Sequence, residues 1–407
     1  MKCGLLGRKL GHSYSPQIHA YLGSYRYDLF EREPEAVEDF LKNEDFSAIN
    51  VTIPYKKTVM PYCRLTPVAE YMGSVNTIVR QKDGTLLGHN TDYFGFTSMV
   101  HRSGLDPKGK KCLVLGSGGA SVTAVAVLRE MGANVIVISR SGEDNYDNLD
   151  RHKDAAMICN CTPVGMYPNN GIRPVNLALF PQLEGVLDMI YNPTRTQLLM
   201  DAAERGLVHI NGLWMLVAQA KEAAEWFLGQ KLPVSLIESV YRKIQLQMEN
   251  IILVGMPGCG KSTIGKSLAA ELGKEFVDAD EELVKTFRKP IPDIFAGEGE
   301  DGFRKKETQI LTDLGKRSGL VIATGGGCVT REENYPLLHQ NGTILWLKRD
   351  IDLLPTEGRP LSQSSRLSEM YCVRKPMYEA FSDFAVDNSG LIHDTVSKII
   401  FILEEQK

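Results

Sequence analysis

Short apolar runs alternate with amphipathic stretches along the chain, a rhythm that predicts α/β folding around largely parallel sheets. Ala48-Ile49-Asn50-Val51-Thr52-Ile53, Cys112-Leu113-Val114-Leu115 and Val135-Ile136-Val137-Ile138 read as buried strands. A helix is expected from the glycine cluster after Leu115 to about Met131, a long one over Leu213 to Trp226, and another over Val234 to Gln247. At Asn250-Ile251-Ile252-Leu253-Val254 the pattern restarts like the first strand of an independent protein. No Gly/Ser- or Pro-rich spacer precedes it, so the halves are expected to be joined by helix. A chain of 407 residues is too long for one ordinary core. Three domains are expected: residues 1–99, rejoined by returning helices at 220–247; residues 100–219; and residues 249–407.

Composition narrows the class of partner. A formal net charge of −4 argues against nucleic acid. No apolar run approaches the roughly 18 to 20 uncharged residues of a membrane helix, so no membrane partner is expected. Met1-Lys2-Cys3-Gly4-Leu5-Leu6-Gly7 lacks signal-peptide anatomy and reads as a first buried strand. The eight cysteines include no C-x-x-C pair, which favours free thiols in a reducing, cytoplasmic setting over a disulfide framework or zinc site. Nothing in the pattern specifies an oligomeric state.

The sharpest chemical signal is Gly255-Met256-Pro257-Gly258-Cys259-Gly260-Lys261-Ser262-Thr263, a G-x-x-x-x-G-K-S/T loop between an apolar strand and a helical stretch. Backbone N–H groups of such a loop turn inward around ATP phosphates, and the following helix adds its positive end. Lys261 supplies a point charge and the Ser262 hydroxyl a ligand for Mg²⁺. Gly258, Cys259, Gly260 and Thr263 complete the expected ATP site. Downstream, Asp278 and Asp280 are expected at a strand end, facing one side, with one carboxylate for Mg²⁺ and the other for an attacking hydroxyl. Arg304 and Glu307 share a helix face, and Gly325-Gly326-Gly327 follows a strand, where backbone can approach a small ligand. Arg359, in Glu357-Gly358-Arg359-Pro360-Leu361, and Arg374 follow.

In this order these features resemble the shikimate kinase family, over residues 249–407. The resemblance implies a P-loop NTPase-type parallel-sheet kinase domain. It implies that Asp280 activates the acceptor hydroxyl, that Arg304 and Arg374 hold the substrate carboxylate, and that Gly326 lies against the ring. Arg359, on a closing lid, would reach the ATP phosphates. Paired guanidinium forks suit a small carboxylate, and a late-arriving arginine suits transferring phosphoryl charge. The lid reads R-P-L-S where the family usually shows a second apolar residue.

Upstream, Gly116-Ser117-Gly118-Gly119-Ala120-Ser121 sits between strand and helix in a βαβ unit, the setting of a Rossmann-type dinucleotide site. The next strand ends at Ser139-Arg140-Ser141, and Arg140 in place of an acidic residue points to NADP over NAD. Glu143 and Asp144 just beyond would oppose a 2′-phosphate. The first block holds Ser13-Tyr14-Ser15-Pro16, Asn50-Val51-Thr52-Ile53-Pro54-Tyr55-Lys56, Val75-Asn76-Thr77 and Gly88-His89-Asn90-Thr91-Asp92. Asp188-Met189-Ile190-Tyr191-Asn192-Pro193 and Asn211-Gly212-Leu213-Trp214 to Gln219 come later.

This set resembles shikimate dehydrogenase across residues 1 to about 245. The family implies an α/β substrate domain ahead of the Rossmann-type one. Ser13 and Ser15 would bind the substrate carboxylate; Thr52, Asn76, Asp92, Tyr191 and Gln219 would line the ring hydroxyls; Lys56 and Asp92 would form the catalytic pair. Gly116, Ser117, Gly118, Gly119, Ala120, Arg140, Met189 and Gly212 would meet the cofactor. Trp214 stands where the family commonly has glycine, on the nicotinamide side, which points to an altered cofactor fit. Asp144 replaces the family's usual second basic residue. Either member of the Lys56–Asp92 pair could hold the working proton, so the role belongs to the pair.

The two resemblances together imply a bifunctional enzyme of chorismate biosynthesis. It would interconvert 3-dehydroshikimate and shikimate with NADP, then phosphorylate shikimate with ATP and Mg²⁺. The competing readings are a quinate/shikimate dehydrogenase using NAD fused to a kinase of another small hydroxy acid, or one half kept as a non-catalytic ligand-binding module.

Overall fold

The computed structural model describes residues 1–11, 13–354 and 364–405. They form two compact units, the first of Met1–Gly165, Ile172–Tyr191 and Leu198–Ile244, the second of Met166–Gly171, Asn192–Gln197 and Gln245–Lys407.

The first unit opens with β1 (Lys2–Gly7), α1 (Ser15–Leu22), β2 (Arg26–Glu31), α2 (Val37–Asn43) and β3 (Ala48–Val51). Then follow β4 (Arg64–Leu65), α3 (Pro67–Met72), β5 (Thr77–Arg80), β6 (Leu86–His89) and α4 (Asp92–Ser103). The sheet runs β2-β1-β3-β5-β6-β4. It is mixed: β1 pairs parallel with β2 and β3, but β5 runs antiparallel to both β3 and β6. Three of its five strand pairings are parallel, β4 with β6 among them, and the two antiparallel ones both involve β5, which turns straight into β6 through Asp83-Gly84, with Gly84 at φ 84°. Asp-Gly in a short connection favours a hairpin over a crossover.

A second, all-parallel sheet follows, built from β7 (Lys111–Leu115), α5 (Gly119–Glu130), β8 (Asn134–Ile138), β9 (Met157–Asn160), β10 (Gly185–Asp188), α6 (Gln197–Glu204) and β11 (Val208–Ile210). Its order is β11-β10-β9-β7-β8, so β7 and its glycine loop lie inside the sheet with helix behind. The long helices arrive as expected, α7 at Leu213–Leu228 and α8 at Ser235–Met248.

Helices α4 and α7 cross closely because Gly95 removes a side chain at the crossing. A Cβ there would stand 2.8 Å from Gln219 Cβ and 2.9 Å from the Met215 carbonyl oxygen. That approach matters because Asp92 opens α4 and Gln219 lies on α7.

The second unit contains β12 (Asn250–Val254), α9 (Lys261–Leu272), β13 (Glu275–Asp278), α10 (Ala279–Phe287), α11 (Ile291–Lys316, broken at Gly299) and β14 (Leu320–Ala323). It continues through α12 (Asn334–His339), β15 (Gly342–Lys348), α13 (Ser364–Phe381), β16 (Phe384–Asp387) and α14 (Ile392–Glu405). The five strands run parallel in the order β13-β14-β12-β15-β16. Strands covered on both faces read as continuous apolar runs, and Ile251 to Val254 and Ile344 to Leu347 are buried throughout. Among the described residues no helix is long and apolar enough to cross a membrane.

Candidate active sites

In the first unit, Ser13 and Thr52 follow the C-terminal ends of neighbouring parallel strands, the edge where α/β sheets bind ligands. Ser13 Oγ accepts the Ser15 N–H at 3.2 Å as α1 begins. Tyr191 meets Tyr14 edge-on, with ring centres 6.3 Å apart. After Thr52 a turn closes from the Tyr55 N–H to the Thr52 carbonyl (2.9 Å) and delivers Lys56, whose own carbonyl accepts from Val75 N–H (2.8 Å).

Lys56 Nζ donates to Asp92 Oδ2 at 2.5 Å, with the side chains 30% and 18% exposed. The pair is thus sheltered yet reachable. Asp92 sits in the first turn of α4, where the helix end favours a negative charge. Its N–H donates to Asn90 Oδ1 (3.0 Å), and the Asn90 amide donates to Ser74 O and Oγ.

Asn76 Oδ1 accepts from the Thr91 N–H (2.8 Å) and the Thr77 hydroxyl (3.1 Å). The oxygen so engaged, the amide NH₂ is the group Asn76 has to offer a ligand. Thr91 Oγ1 lies 3.2 Å from Gln219 Oε1, which ties α7 to the same network. Behind it, Tyr27 donates to Asn50 Oδ1 (2.8 Å), and Asn50 donates to the Asn76 carbonyl and Thr77. His19 stacks on Tyr27 at 4.1 Å and lies 2.6 Å from the Tyr25 hydroxyl. Burial lowers its pKa to about 3 and pushes the Tyr27 phenol well above its usual range. Sequence reading gave Asn50, Thr91 and His19 no role; Asn50 and Thr91 lie inside the quoted strings, and His19 lies outside them.

The second sheet presents Gly116, at φ 101°, then Ser117, Gly118, Gly119 and Ala120 at the exposed opening of α5. A Cβ on Gly118 or Gly119 would meet no protein atom within 4 Å, so the fold's own packing does not demand glycine there. With the N–H groups that a helix start leaves unpaired, the loop fits a dinucleotide pyrophosphate. Arg140 is exposed just beyond β8. Asp144 is held 2.9 Å from His152 Nε2. Gly212 packs against Met189, whose carbonyl oxygen a Cβ would meet at 2.1 Å.

Trp214 is turned elsewhere than expected. Its indole N–H donates to Ser98 on α4 (2.9 Å), its ring packs on Tyr241 of α8, and Arg102 covers it at 4.7 Å. Only 8% exposed, it knits three helices together, because a large amphipathic ring with a partner for its N–H is most stable in that layer.

In the second unit, Gly255, Gly258 and Gly260 take φ values of 147°, 84° and 100°, which bend the loop from β12 into α9. Cys259 is buried and its carbonyl accepts from Asn388 (2.6 Å). Lys261 Nζ donates to the carbonyls of Gly255 (2.9 Å) and Met256 (3.1 Å), so its charge lies over the loop. A cavity of about 540 Å³ opens there; its lining includes Gly258, Gly260, Lys261, Ser262 and Thr263 of the loop and helix start, together with Asp278, Asp280, Arg304, Gly326 and Arg374.

The expectation that Asp278 and Asp280 share a strand end is corrected. The strand stops at Asp278, which caps α10 by accepting the N–H groups of Asp280 (3.0 Å) and Glu281 (3.4 Å), and Asp280 lies on the helix. A short acidic side chain before a helical run is a capping signal, and here it outcompetes continued extension. Both carboxylates still border the cavity. Ser262 Oγ donates to Asp278 Oδ2 at 2.6 Å. One hydroxyl and one carboxylate so placed fit Mg²⁺, which takes few protein ligands and keeps water and phosphate oxygens.

Arg304 pairs with Glu307 at 2.7 Å, both buried. Burial pushes the Glu307 carboxyl above its usual range, against the pull of Arg304. Burial also opposes the Arg304 charge, yet Glu307 and Glu300 hold that pKa up. Arg374 donates to the Gly326 carbonyl at 3.2 Å, as does the buried Tyr378 hydroxyl. Tyr378 escaped the sequence reading, since a tyrosine inside a helix carries no signal of its own. Arg359 and the R-P-L-S stretch lie outside the described residues.

By class, the chain is an α/β oxidoreductase followed by a P-loop phosphotransferase. Residues 5–78 match the family model of the shikimate dehydrogenase substrate binding domain, and residues 257–404 that of shikimate kinase. A shikimate dehydrogenase (NADP(+)) of Clostridium perfringens strain SM101 is 35% identical over 266 residues, 60% of this chain and 97% of the relative. The crystal structure of shikimate dehydrogenase 1 from Peptoclostridium difficile superposes with a TM-score of 0.55 at 35% identity, covering 60% of this chain and 98% of that one. A Thermus thermophilus shikimate 5-dehydrogenase in complex with NADP(H) and shikimate gives 0.55 at 30% identity, over 60% and 99% of the two chains. A chorismate mutase/shikimate 5-dehydrogenase fusion from Clostridium acetobutylicum gives 0.57 at 34% identity, over 60% and 96%. The chain belongs to the shikimate dehydrogenase family and carries a shikimate kinase domain after it, as a bifunctional fusion.

Proposed function

We propose that residues 1–99, with the returning helices at 220–247, bind 3-dehydroshikimate or shikimate, that residues 100–219 bind NADP, and that residues 249–407 phosphorylate shikimate. The observation that carries this reading is the agreement of two unrelated sites on one molecule. Each is built for a small carboxylated polyol, and the product of the first is the substrate of the second. The setting is cytoplasmic, in the biosynthesis of chorismate.

In the first reaction NADPH, held by Gly116 to Ala120 and Arg140, would supply a hydride to the C3 carbonyl carbon. The carbonyl oxygen must gain a proton as the hydride arrives, and the Lys56–Asp92 pair holds it. Lys56 Nζ spends one N–H on Asp92 and keeps others for the substrate oxygen. Ser13 and Ser15 hold the substrate carboxylate; Thr52, Asn76, Tyr191 and Gln219 hold ring hydroxyls. Gly116 to Ala120 receive the pyrophosphate, Arg140 the 2′-phosphate, and Met189 and Gly212 flank the nicotinamide end. Asp144, the carboxylate that would oppose a 2′-phosphate beside Arg140, is engaged by His152 Nε2 at 2.9 Å.

In the second reaction Asp280 orients the shikimate hydroxyl and takes its proton, while Arg304 and Arg374 fix the carboxylate and Gly326 backs the ring. Lys261 and Arg359 neutralise charge on the transferring phosphoryl group. Ser262 and Asp278 would hold Mg²⁺, which offsets phosphate charge. The test assays the full chain with shikimate plus NADP⁺, shikimate plus ATP, and each pairing repeated with NAD⁺, quinate and gluconate. Turnover of shikimate with NADP⁺ and with ATP is expected; preference for quinate with NAD⁺, or binding without turnover in either half, would overturn the reading.

A further inference from the structure

Cys159 lies in β9, and Cys161 follows one residue past its end. Residues two apart on an extended chain point to one side, and the two sulfurs stand 3.7 Å apart. Cys159 is buried and Cys161 partly exposed. Cys161 also touches the dinucleotide loop through its backbone. Its N–H donates to the Leu115 carbonyl (3.0 Å), and a Cβ on Gly116 would sit 3.4 Å from its carbonyl oxygen.

The two cysteines are not equally free to move. Cys159 is held in register between Val114 of β7 and Leu187 of β10, inside the sheet. A disulfide needs an S–S distance of about 2.05 Å and Cα atoms about 4.4–6.8 Å apart. An extended pair two residues apart spans about 6.6 Å, near the upper end of that range. The sulfurs, 3.7 Å apart, must close to about 2.05 Å, and with Cys159 held in the sheet that movement falls on Cys161, the residue resting on Gly116.

We propose that Cys159 and Cys161 are a peroxide-oxidisable dithiol, and that closing it displaces the loop at Gly116 and weakens dinucleotide binding; this rests on the NADP reading above. The Cys161 sulfur attacks hydrogen peroxide, breaks the O–O bond, and yields a sulfenic acid and one water. The Cys159 sulfur then attacks that sulfenic sulfur, and the hydroxyl leaves as a second water with the Cys159 proton. Two thiols and one peroxide thus become one disulfide and two waters. Its neighbour Cys161, followed by burial, holds the Cys159 thiol well above its ordinary range, so the first oxidation falls on Cys161. A disulfide closed under strain is readily reduced again, so the change is reversible.

The test uses the reduced full-length chain titrated with hydrogen peroxide, with NADPH affinity read by fluorescence and thiols by peptide mass. The exposed Cys372 marks the dose at which an accessible thiol reacts. At that dose the peptide bearing both cysteines is expected to lose two hydrogens, and NADPH affinity to fall about tenfold or more, the scale of a small misplacement of a positioned group. Dithiothreitol is expected to restore it, and Cys161→Ala and Cys161→Ser chains to keep their affinity throughout. The proposal is overturned if the dithiol stays reduced while Cys372 oxidises, if the disulfide forms with affinity unchanged, or if both variants lose affinity alike. Failure of the NADP reading shows separately, as an untreated reduced chain that does not bind NADPH.

Discussion

Lys56 and Asp92 are brought to 2.5 Å by two turns that each hydrogen-bond to the segment Ser74-Val75-Asn76, so the pair is set by its surroundings and not by chance side-chain reach. Lys56→Ala is expected to cut dehydrogenase turnover by about 10²–10⁴-fold with shikimate binding largely kept. Steady-state rates with an equilibrium titration check this; lost binding with intact turnover per bound substrate would contradict it. His19 carries a different expectation. Its folded pKa, lowered to about 3 by burial, lies below the unfolded value of 6.5. Below pH 6.5 the unfolded chain binds the proton first, so stability falls as pH drops from 6.5 toward 3, by up to about 1.4 kcal/mol per unit. The urea midpoint for loss of dehydrogenase activity is expected to decline over pH 6.5 to 5, and His19→Gln to flatten that decline. An equal slope in both chains would rule the histidine out. The motif residues were legible at this scale because their chemistry is written in short strings. His19 was not, since a lone buried histidine looks like any core residue until its stack on Tyr27 is seen.

Elements carry what strings cannot. The strands before both glycine loops, and helices α7 and α8, were legible from apolar periodicity and small-residue content. Three features were not. The sense of β5 depends on its hairpin with β6. The break between β13 and α10 turns on whether Asp278 extends or caps. The Trp214 ring looked like a cofactor neighbour by alignment with a family position, whereas its orientation follows from α4 and α8, which are distant in sequence. Gly95 belongs here too, since only the crossing of α4 and α7 gives it meaning. Gly95→Ala is expected to destabilise the first unit by about 1–3 kcal/mol through overpacking, and to raise the KM for shikimate by shifting Asp92 and Gln219 apart. Denaturant midpoints with kinetics test this. An alanine chain with unchanged midpoint and unchanged KM would show that the crossing tolerates a methyl group.

For the whole molecule, the central point is that two chemistries meet on one compound. Among the described residues, the two sites draw on separate units, Lys56 and Asp92 on the first and Lys261, Asp280 and Arg304 on the second, so damage to one should spare the other. Asp280→Asn is expected to reduce shikimate phosphorylation by about 10²-fold or more while NADPH oxidation with 3-dehydroshikimate stays near its original rate. Parallel loss of both activities would argue against separate sites. The most direct measurement supplies the full chain with 3-dehydroshikimate, NADPH, ATP and Mg²⁺ and follows nicotinamide oxidation and phosphorylated product together. The account predicts shikimate 3-phosphate, with one NADPH and one ATP consumed per molecule formed and no product when either is withheld. NADPH oxidation that ends at shikimate in the presence of ATP, or ATP consumption without a shikimate phosphate, would contradict it.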